Sequence, residues 1–191
     1  EPLYKEALSI TQTNLGDNHS AIAKNLNNLA NVYSGQRRFS EAEPLYQKAL
    51  YITQRNLGED HPDVATSLNN LALLYKTQGR FDEAEPLYVH ALEISERSFS
   101  THPPVVAASL NNLANIYIKQ QRFEQAEPLY KRALQLTEQQ LDQSPLDVAT
   151  SLNNLAHLYK IQGRYGEAEA LCLQSLDMTQ NTLGGDHPTV A

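Results

Sequence analysis

Ser67-Leu68-Asn69-Asn70-Leu71-Ala72-Leu73-Leu74-Tyr75-Lys76-Thr77-Gln78-Gly79-Arg80 returns at residues 151–164 with two changes, His157 for Leu73 and Ile161 for Thr77. Within and just before that stretch, Val64, Leu68, Leu71, Ala72 and Tyr75 step by four, three, one and three residues. Such spacing puts five core-forming side chains on one face of a helix. Gly79 then offers a residue that adopts the left-handed conformation at little cost, a common way for a helix to stop. Beyond it Ala84, Leu87, Tyr88, Ala91, Leu92 and Ile94 make a second helical stripe. Ser40-x-x-Glu43 and Asp82-x-x-Glu85 fit a capping box at the start of that second helix. On this reading Pro44 and Pro86 face a non-helical cap carbonyl, which lowers their helix-breaking cost. His61-Pro62 opens the first helix, with Pro at its first position. No period-two alternation accompanies these signals, so the unit is helix–turn–helix and not a propeller blade.

The unit repeats every 42 residues without insertion or deletion. Glu1-Pro2-Leu3-Tyr4 recurs at 43–46, 85–88 and 127–130, then decays to Glu169-Ala170-Leu171-Cys172. A fixed period of this size means a solenoid. The spacing predicts an all-α array of nine helices in one domain, 1–191. A lone second helix covers about 1–14, and repeat units cover about 20–56, 62–98, 104–140 and 146–182. First helices run over 20–34, 62–76, 104–118 and 146–160; second helices over 40–56, 82–98, 124–140 and 166–182. Residues 186–191 repeat the opening of a first helix, and together with the lack of an initiator Met they suggest a fragment of a longer array.

Composition excludes several function classes. Of 191 residues 41% are hydrophobic and 19% charged, ordinary for a folded chain. The net charge of −7 argues against a general nucleic-acid binder, since phosphate affinity comes from clustered Lys and Arg. Cys172, the one cysteine, allows no internal disulfide and no cysteine-rich zinc site. No apolar run approaches the roughly 20 residues of a membrane span, and no signal peptide opens the chain. Asn18-His19-Ser20 matches a glycosylation sequon by chance on that reading. A soluble cytoplasmic protein is the expectation.

Leu68-x-x-Leu71-Ala72-x-x-Tyr75, Gly79-x-Phe81, Ala84, Tyr88 and Ala91 resemble the tetratricopeptide signature. The usual unit has 34 residues; this one is longer by about one turn per helix. With Leu-Asn-Asn-Leu-Ala, Glu-Ala-Glu-Pro-Leu-Tyr and Leu57-Gly58-Glu59-Asp60-His61-Pro62, it resembles the repeats of kinesin light chains and their bacterial relatives. The near-identical units fit a bacterial array better. The resemblance implies a right-handed superhelix whose first helices line a concave, peptide-binding groove. In kinesin light chains that groove receives acidic cargo peptides around a tryptophan. It does not imply a motor, because the heptads that join a light chain to its heavy chain are missing from these residues.

Which residues carry function follows from what the repeat needs structurally. Tyr33, Tyr75, Tyr117 and Tyr159; Phe39, Phe81, Phe123 and Tyr165; and Tyr4, Tyr46, Tyr88 and Tyr130 all fall on core stripes, leaving Tyr51 and Phe99 outside. His19, His61 and His187 share one repeat position and His102 lies one residue early. Layers roughly 8–10 Å apart keep these imidazoles from one metal ion. They are read as helix entry or loop packing. No nucleophile–base pair, metalloprotease motif or phosphate loop appears, so the chain is read as non-enzymatic, with no cofactor or metal. Cys172, standing where the other units have Tyr, is read as a buried, inert thiol. Arg38, Arg80, Arg122 and Arg164, with Glu41, Glu83 and Glu167 three residues on, are close enough for surface ion pairs worth little each, and structural or solubilising roles are favoured for them.

The asparagines are the stronger candidates. Asn27-Asn28, Asn69-Asn70, Asn111-Asn112 and Asn153-Asn154 recur mid-helix, where Asn is a mediocre residue. On a helical wheel the first of each pair shares a flank with Thr66, Leu73 and Lys76. An amide donates and accepts at once, so a ladder of them suits an extended peptide backbone. The alternative is that they brace neighbouring repeats. Residues that vary on the same flank, Asn31, Leu73, Asn115 and His157 at one position and Lys76 and Lys160 at another, join the candidate surface, as does Lys24. Solvent-face drift is the other account of that variation. First helices carry a weak positive balance and second helices a strongly negative one. The expected function is therefore a protein–protein scaffold for extended, neutral-to-acidic peptides, with no nucleic-acid or membrane partner. The rival is a structural spacer that presents neighbouring domains. Apolar faces at both ends, Leu3, Tyr4, Ala7, Leu8 and Ile10 at one and Leu171, Leu173, Leu176 and Met178 at the other, predict end-to-end self-association.

Overall fold

The computed structural model describes residues 2–15, 19–98, 103–139 and 144–183. The chain divides into two compact units, residues 1–98 and 99–191. The first holds α1 (Pro2–Leu15), α2 (Ser20–Gly35), α3 (Phe39–Leu57), α4 (Pro62–Thr77) and α5 (Phe81–Ser98). The second holds α6 (Pro103–Lys119), α7 (Phe123–Glu138), α8 (Pro145–Ile161) and α9 (Tyr165–Leu183). Among the described residues these nine helices carry the whole fold, and there is no strand. The expected opening of a further first helix at 186–191, together with His102 and His187, lies outside the described residues.

Each first helix packs most extensively on the second helix of its own repeat and, within a unit, next on the second helix that precedes it. The pairing is antiparallel: Ile22 near the start of α2 clusters with Ile52 near the end of α3, and Val64 and Leu68 cluster with Ile94 and Ala91. Ala30, Ala42, Ala72, Ala84, Ala114 and Ala126 have no exposed surface, so small side chains line the helix contacts and permit close approach. Larger residues fill the remaining space; Leu110 and Ile116 are wholly buried, each worth about 1.5–3 kcal/mol in removed apolar surface.

Helix starts follow local chemistry. His19 and His61 occupy N-caps in extended conformation, and their Nδ1 atoms accept from the Ala21 and Asp63 amides at 3.2 and 3.1 Å. An imidazole thus does what Ser or Asp usually does at this place. The second helices start where expected to within a residue, but not through the expected cap. They begin one residue earlier, at Phe39, Phe81, Phe123 and Tyr165. In α3 and α7 the N-caps are Arg38 and Arg122, and neither makes a side-chain cap bond. Ser40 and Asp82 therefore sit inside the first turn, and the capping box does not form. The turn runs straight into the helix because the Arg38 and Arg80 carbonyls already accept from Ala42 and Ala84 at 3.1 Å. Pro44 consequently faces Ser40, a helical residue, and the relief expected for its ring is lost.

The turn between the helices is a Schellman motif in all four repeats. Arg80 donates its amide to Tyr75 O at 2.9 Å and Gly79 to Lys76 O at 3.0 Å. The same pair of bonds recurs at Arg38/Arg37, Arg122/Gln121 and Arg164/Gly163. Gly79 and Gly163 take φ of 77°, as the motif demands, whereas Arg37 and Gln121 hold 60° and 59° with a full side chain.

Candidate functional site

Two clefts, one in each unit, gather six of the candidate residues, Lys24, Asn27 and Thr66 in the first and Asn153, His157 and Lys160 in the second, whereas Asn31, Asn69, Leu73, Lys76, Asn111 and Asn115 line neither. In the first unit α2 and α4 lie side by side and, with the end of α3, enclose about 400 Å³. Ser20, Ala23, Lys24 and Asn27 line it from α2, Thr53 and Leu57 from α3, and His61, Asp63, Thr66 and Ser67 from the start of α4. In the second unit α8 and α9 form a cleft of about 310 Å³ lined by Asn153, Ala156, His157 and Lys160 on one side and Tyr165, Ala168, Glu169 and Cys172 on the other.

The first asparagine of each pair has an unusual environment. Asn27, Asn69 and Asn111 are half-buried, and the Oδ1 atom of each is buried without any hydrogen-bond partner. A buried acceptor left unpaired costs about 1–3 kcal/mol, and three copies at one repeat position are not an accident of packing. Asn153, the fourth copy, is exposed in the second cleft. The second asparagines, Asn28, Asn70, Asn112 and Asn154, line neither cleft; Asn28 is exposed and the others half-buried.

The variable flank separates into two kinds of residue. Asn31 and Asn115 hold the second helix of their own repeat, because Tyr46 and Tyr130 donate their hydroxyls to the two Oδ1 atoms at 2.5 and 2.9 Å. Asn115 also donates to Asn111 O at 2.8 Å. Leu73 is 49% exposed, and His157 is exposed too. Lys24 and Lys160 project from exposed positions, and Lys76 is half-buried. Thr66 is exposed at the first cleft, with its hydroxyl turned to Pro62 O at 3.4 Å.

The arginines make the expected pairs three residues on, and two of them add a contact to the preceding repeat that sequence reading missed. Arg80 stacks on the Tyr75 ring at 4.1 Å and pairs with Glu83 at 2.6 Å. It also reaches across to Glu43 of the preceding repeat at 2.7 Å, and Tyr75 donates its hydroxyl to the same carboxylate at 3.0 Å. Arg164 repeats the arrangement with Tyr159 at 3.7 Å, Glu167 at 2.6 Å and Glu127 at 3.0 Å. Tyr159 donates to Glu127 at 3.3 Å, and Lys131 adds a pair at 2.7 Å. This clasp locks one repeat to the next. The Arg80 hydrogen bond, helped by Tyr75, holds the Glu43 carboxyl below the usual carboxylate range against the opposing effect of burial. Lys131 and then Arg164 do the same for Glu127. Glu83 and Glu43 raise the Arg80 guanidinium above its ordinary value. The exact period could have exposed this, since Glu43 and Arg80 both recur on the 42-residue step.

Two further expectations are corrected. Cys172 is exposed, not buried. Its counterpart Tyr130 is covered by Leu155, Leu158 and Tyr159 of the following first helix, and no helix covers α9 in that way among the described residues. For the same reason Tyr165 is 70% exposed, whereas Phe39 and Phe123 are half-buried. Among the described residues no group of three or more His, Cys, Asp or Glu is placed to hold a metal ion, and no helix is long and apolar enough to cross a membrane.

A family profile described as Tetratricopeptide repeat matches residues 1–50 and 22–97, and a second profile of that description matches 106–142 and 148–189. No protein of curated function matches significantly. Among solved structures the chain is similar to BtubC (BKLC) from P. vanneervenii, with a TM-score of 0.83 and 30% identity over 98% of this chain and 74% of that one. It is also similar to a kinesin-light-chain-like protein of nearly identical TPR-like repeats from Podosopora anserina, with a TM-score of 0.82 and 23% identity over 95% and 85%. Aspartyl phosphate phosphatase F from Bacillus subtilis matches at a TM-score of 0.79 and 15% identity, over 96% of this chain and 45% of that one. The last two likenesses concern the fold.

Proposed function

Since the chain belongs to the tetratricopeptide repeat family, whose members generally mediate protein–protein interaction, we propose that it is a non-enzymatic scaffold for extended, neutral-to-acidic peptides. On this reading residues 1–191 act as one repeat domain. The observation that carries the proposal is the set of unpaired amide oxygens at Asn27, Asn69 and Asn111. Each residue is half-exposed, and its amide turns on a broad terminal torsion. A peptide backbone laid across the first helices offers N–H and C=O groups to such amides without requiring a particular sequence. Lys24 at the first cleft and Lys160 at the second supply the preference for negative charge. First helices carry Lys24, Lys76, Lys119 and Lys160 against Asp63 and Asp147, so their balance is positive although the protein is acidic. Binding through these cations weakens as salt rises.

The test is a panel of neutral, acidic and basic extended peptides titrated against the wild type, Asn27→Ala/Asn69→Ala and Lys24→Ala. The double variant is expected to lose at least tenfold in affinity while its urea midpoint stays equal or rises, because an orphaned acceptor has gone. Lys24→Ala should reduce the salt dependence. Full binding by the double variant rejects the proposal. A fall in its stability would make the asparagines braces, and the absence of any peptide affinity in the wild type would favour a spacer.

A further inference from the structure

We infer, on the peptide-binding reading of the first helices, that the segment laid across α2 and α4 is a left-handed polyproline II helix with a non-proline residue at every third position. Asn27 and Asn69 stand one repeat step apart, on α2 and α4. Each holds a buried Oδ1 without a donor, so both places lack the same group, an N–H. α2 and α4 run side by side, with Cα atoms within 8 Å of one another. Helices packed in this way have axes roughly 8–10 Å apart. One repeat step carries the first amide to the second over about that distance.

A bound backbone must then offer N–H groups on one side at that interval. A strand rises about 3.3 Å per residue and points successive N–H groups to opposite sides, so its same-side groups recur at roughly 6.6 and 13 Å. An α-helix uses its N–H groups internally. Polyproline II has three residues per turn and a rise of about 3.1 Å, so equivalent N–H groups recur at roughly 9.3 Å, and none is used internally. Of the three it alone matches the pair. Within each triplet the residue that meets an asparagine keeps its N–H and is not proline, which has none. The other two positions turn away and admit proline. Leu73, one turn beyond Asn69 and 49% exposed, offers apolar surface to a prolyl ring. Lys24, nearly one turn before Asn27 and exposed, selects glutamate as the non-proline residue. A segment already in this conformation loses little freedom on binding.

The test titrates the intact chain with three peptides of equal length and charge: four copies of Glu-Pro-Pro, the same peptide N-methylated at its glutamates, and four copies of Glu-Ala-Ser. Glu-Pro-Pro is expected to bind at least tenfold tighter than the flexible Glu-Ala-Ser peptide. Methylation keeps the charge and the conformation but removes the N–H, and should cost at least tenfold. In the Asn27→Ala/Asn69→Ala variant methylation should change affinity less than twofold, since its partners have gone. Glu-Ala-Ser binding as tightly as Glu-Pro-Pro overturns the inference and leaves the peptide-binding reading standing. An undiminished affinity for the methylated peptide overturns it, and so does a methylation penalty of the same size in the double variant. Binding by none of the three, or by any other peptide, overturns both.

Discussion

Replacing Arg37 or Gln121 by Gly is expected to stabilise the unit that contains it. Both residues hold the left-handed C′ position of a Schellman turn, with φ of 60° and 59°, where the other two repeats have Gly79 and Gly163 at 77°. A residue with a Cβ gives up about 1–2 kcal/mol in that region. Glycine gives back roughly 0.5–1 kcal/mol through its larger loss of freedom on folding. The net gain is about 0.5–1 kcal/mol per site. Arg37 and Gln121 are exposed, so little packing is lost with the side chain. The reverse change isolates the same strain: a Cβ built on Gly79 or Gly163 meets nothing within 4 Å, so Gly79→Ala costs only the backbone conformation. Urea unfolding followed by far-ultraviolet circular dichroism reads the effect. At a slope of roughly 1–2 kcal/mol per molar, the midpoint should move by about 0.3–1 M with the slope unchanged. Arg37→Gly combined with Gly79→Ala, separate sites in one unit, should nearly cancel. A lower midpoint for Arg37→Gly or Gln121→Gly, or an unmoved one for Gly79→Ala, would refute the reasoning.

Three other outcomes are expected. Because pairing holds the Glu127 carboxyl below its ordinary value of 4.5, it stabilises the fold at higher pH and is lost as pH falls through the folded value; Glu127→Gln should lower stability at neutral pH and flatten its decline below about 4.5, as measured by urea midpoints across that range. Pro128 lies inside α7 with no amide to donate, so Pro128→Ala should raise the midpoint by roughly 1–3 kcal/mol equivalent; a drop would show that the ring fixes the helix by means other than hydrogen bonding. Tyr130→Phe removes the 2.9 Å bond to Asn115 and should cost about 0.5–1.5 kcal/mol, and Asn115→Leu in that background should cost little more if the pair is the main coupling.

The sequence by itself determined the helices, their partners and the turn. Hydrophobic spacing around Leu68, Leu71, Ala72 and Tyr75, Pro at the start of α4 and Gly79 at its end are signals within a few residues of where they act, and backbone preferences read them directly. The 42-residue period then carried one reading to every unit, and the mid-helix asparagines stood out because Asn is poor there without a use. Tertiary structure decided what depends on distance. Glu43 and Arg80 are 37 residues apart, and only stacked repeats turn a surface ion pair into a clasp shared with Tyr75. Asn31 and Asn27 look alike in sequence; the Oδ1 of one accepts a tyrosine hydroxyl from α3, and the Oδ1 of the other is buried without a donor. Local pattern likewise assigned Cys172 to the core stripe, yet burial there comes from the neighbour that covers the stripe. In a repeat protein each unit writes its own helices, and the next unit decides which of its faces are interior.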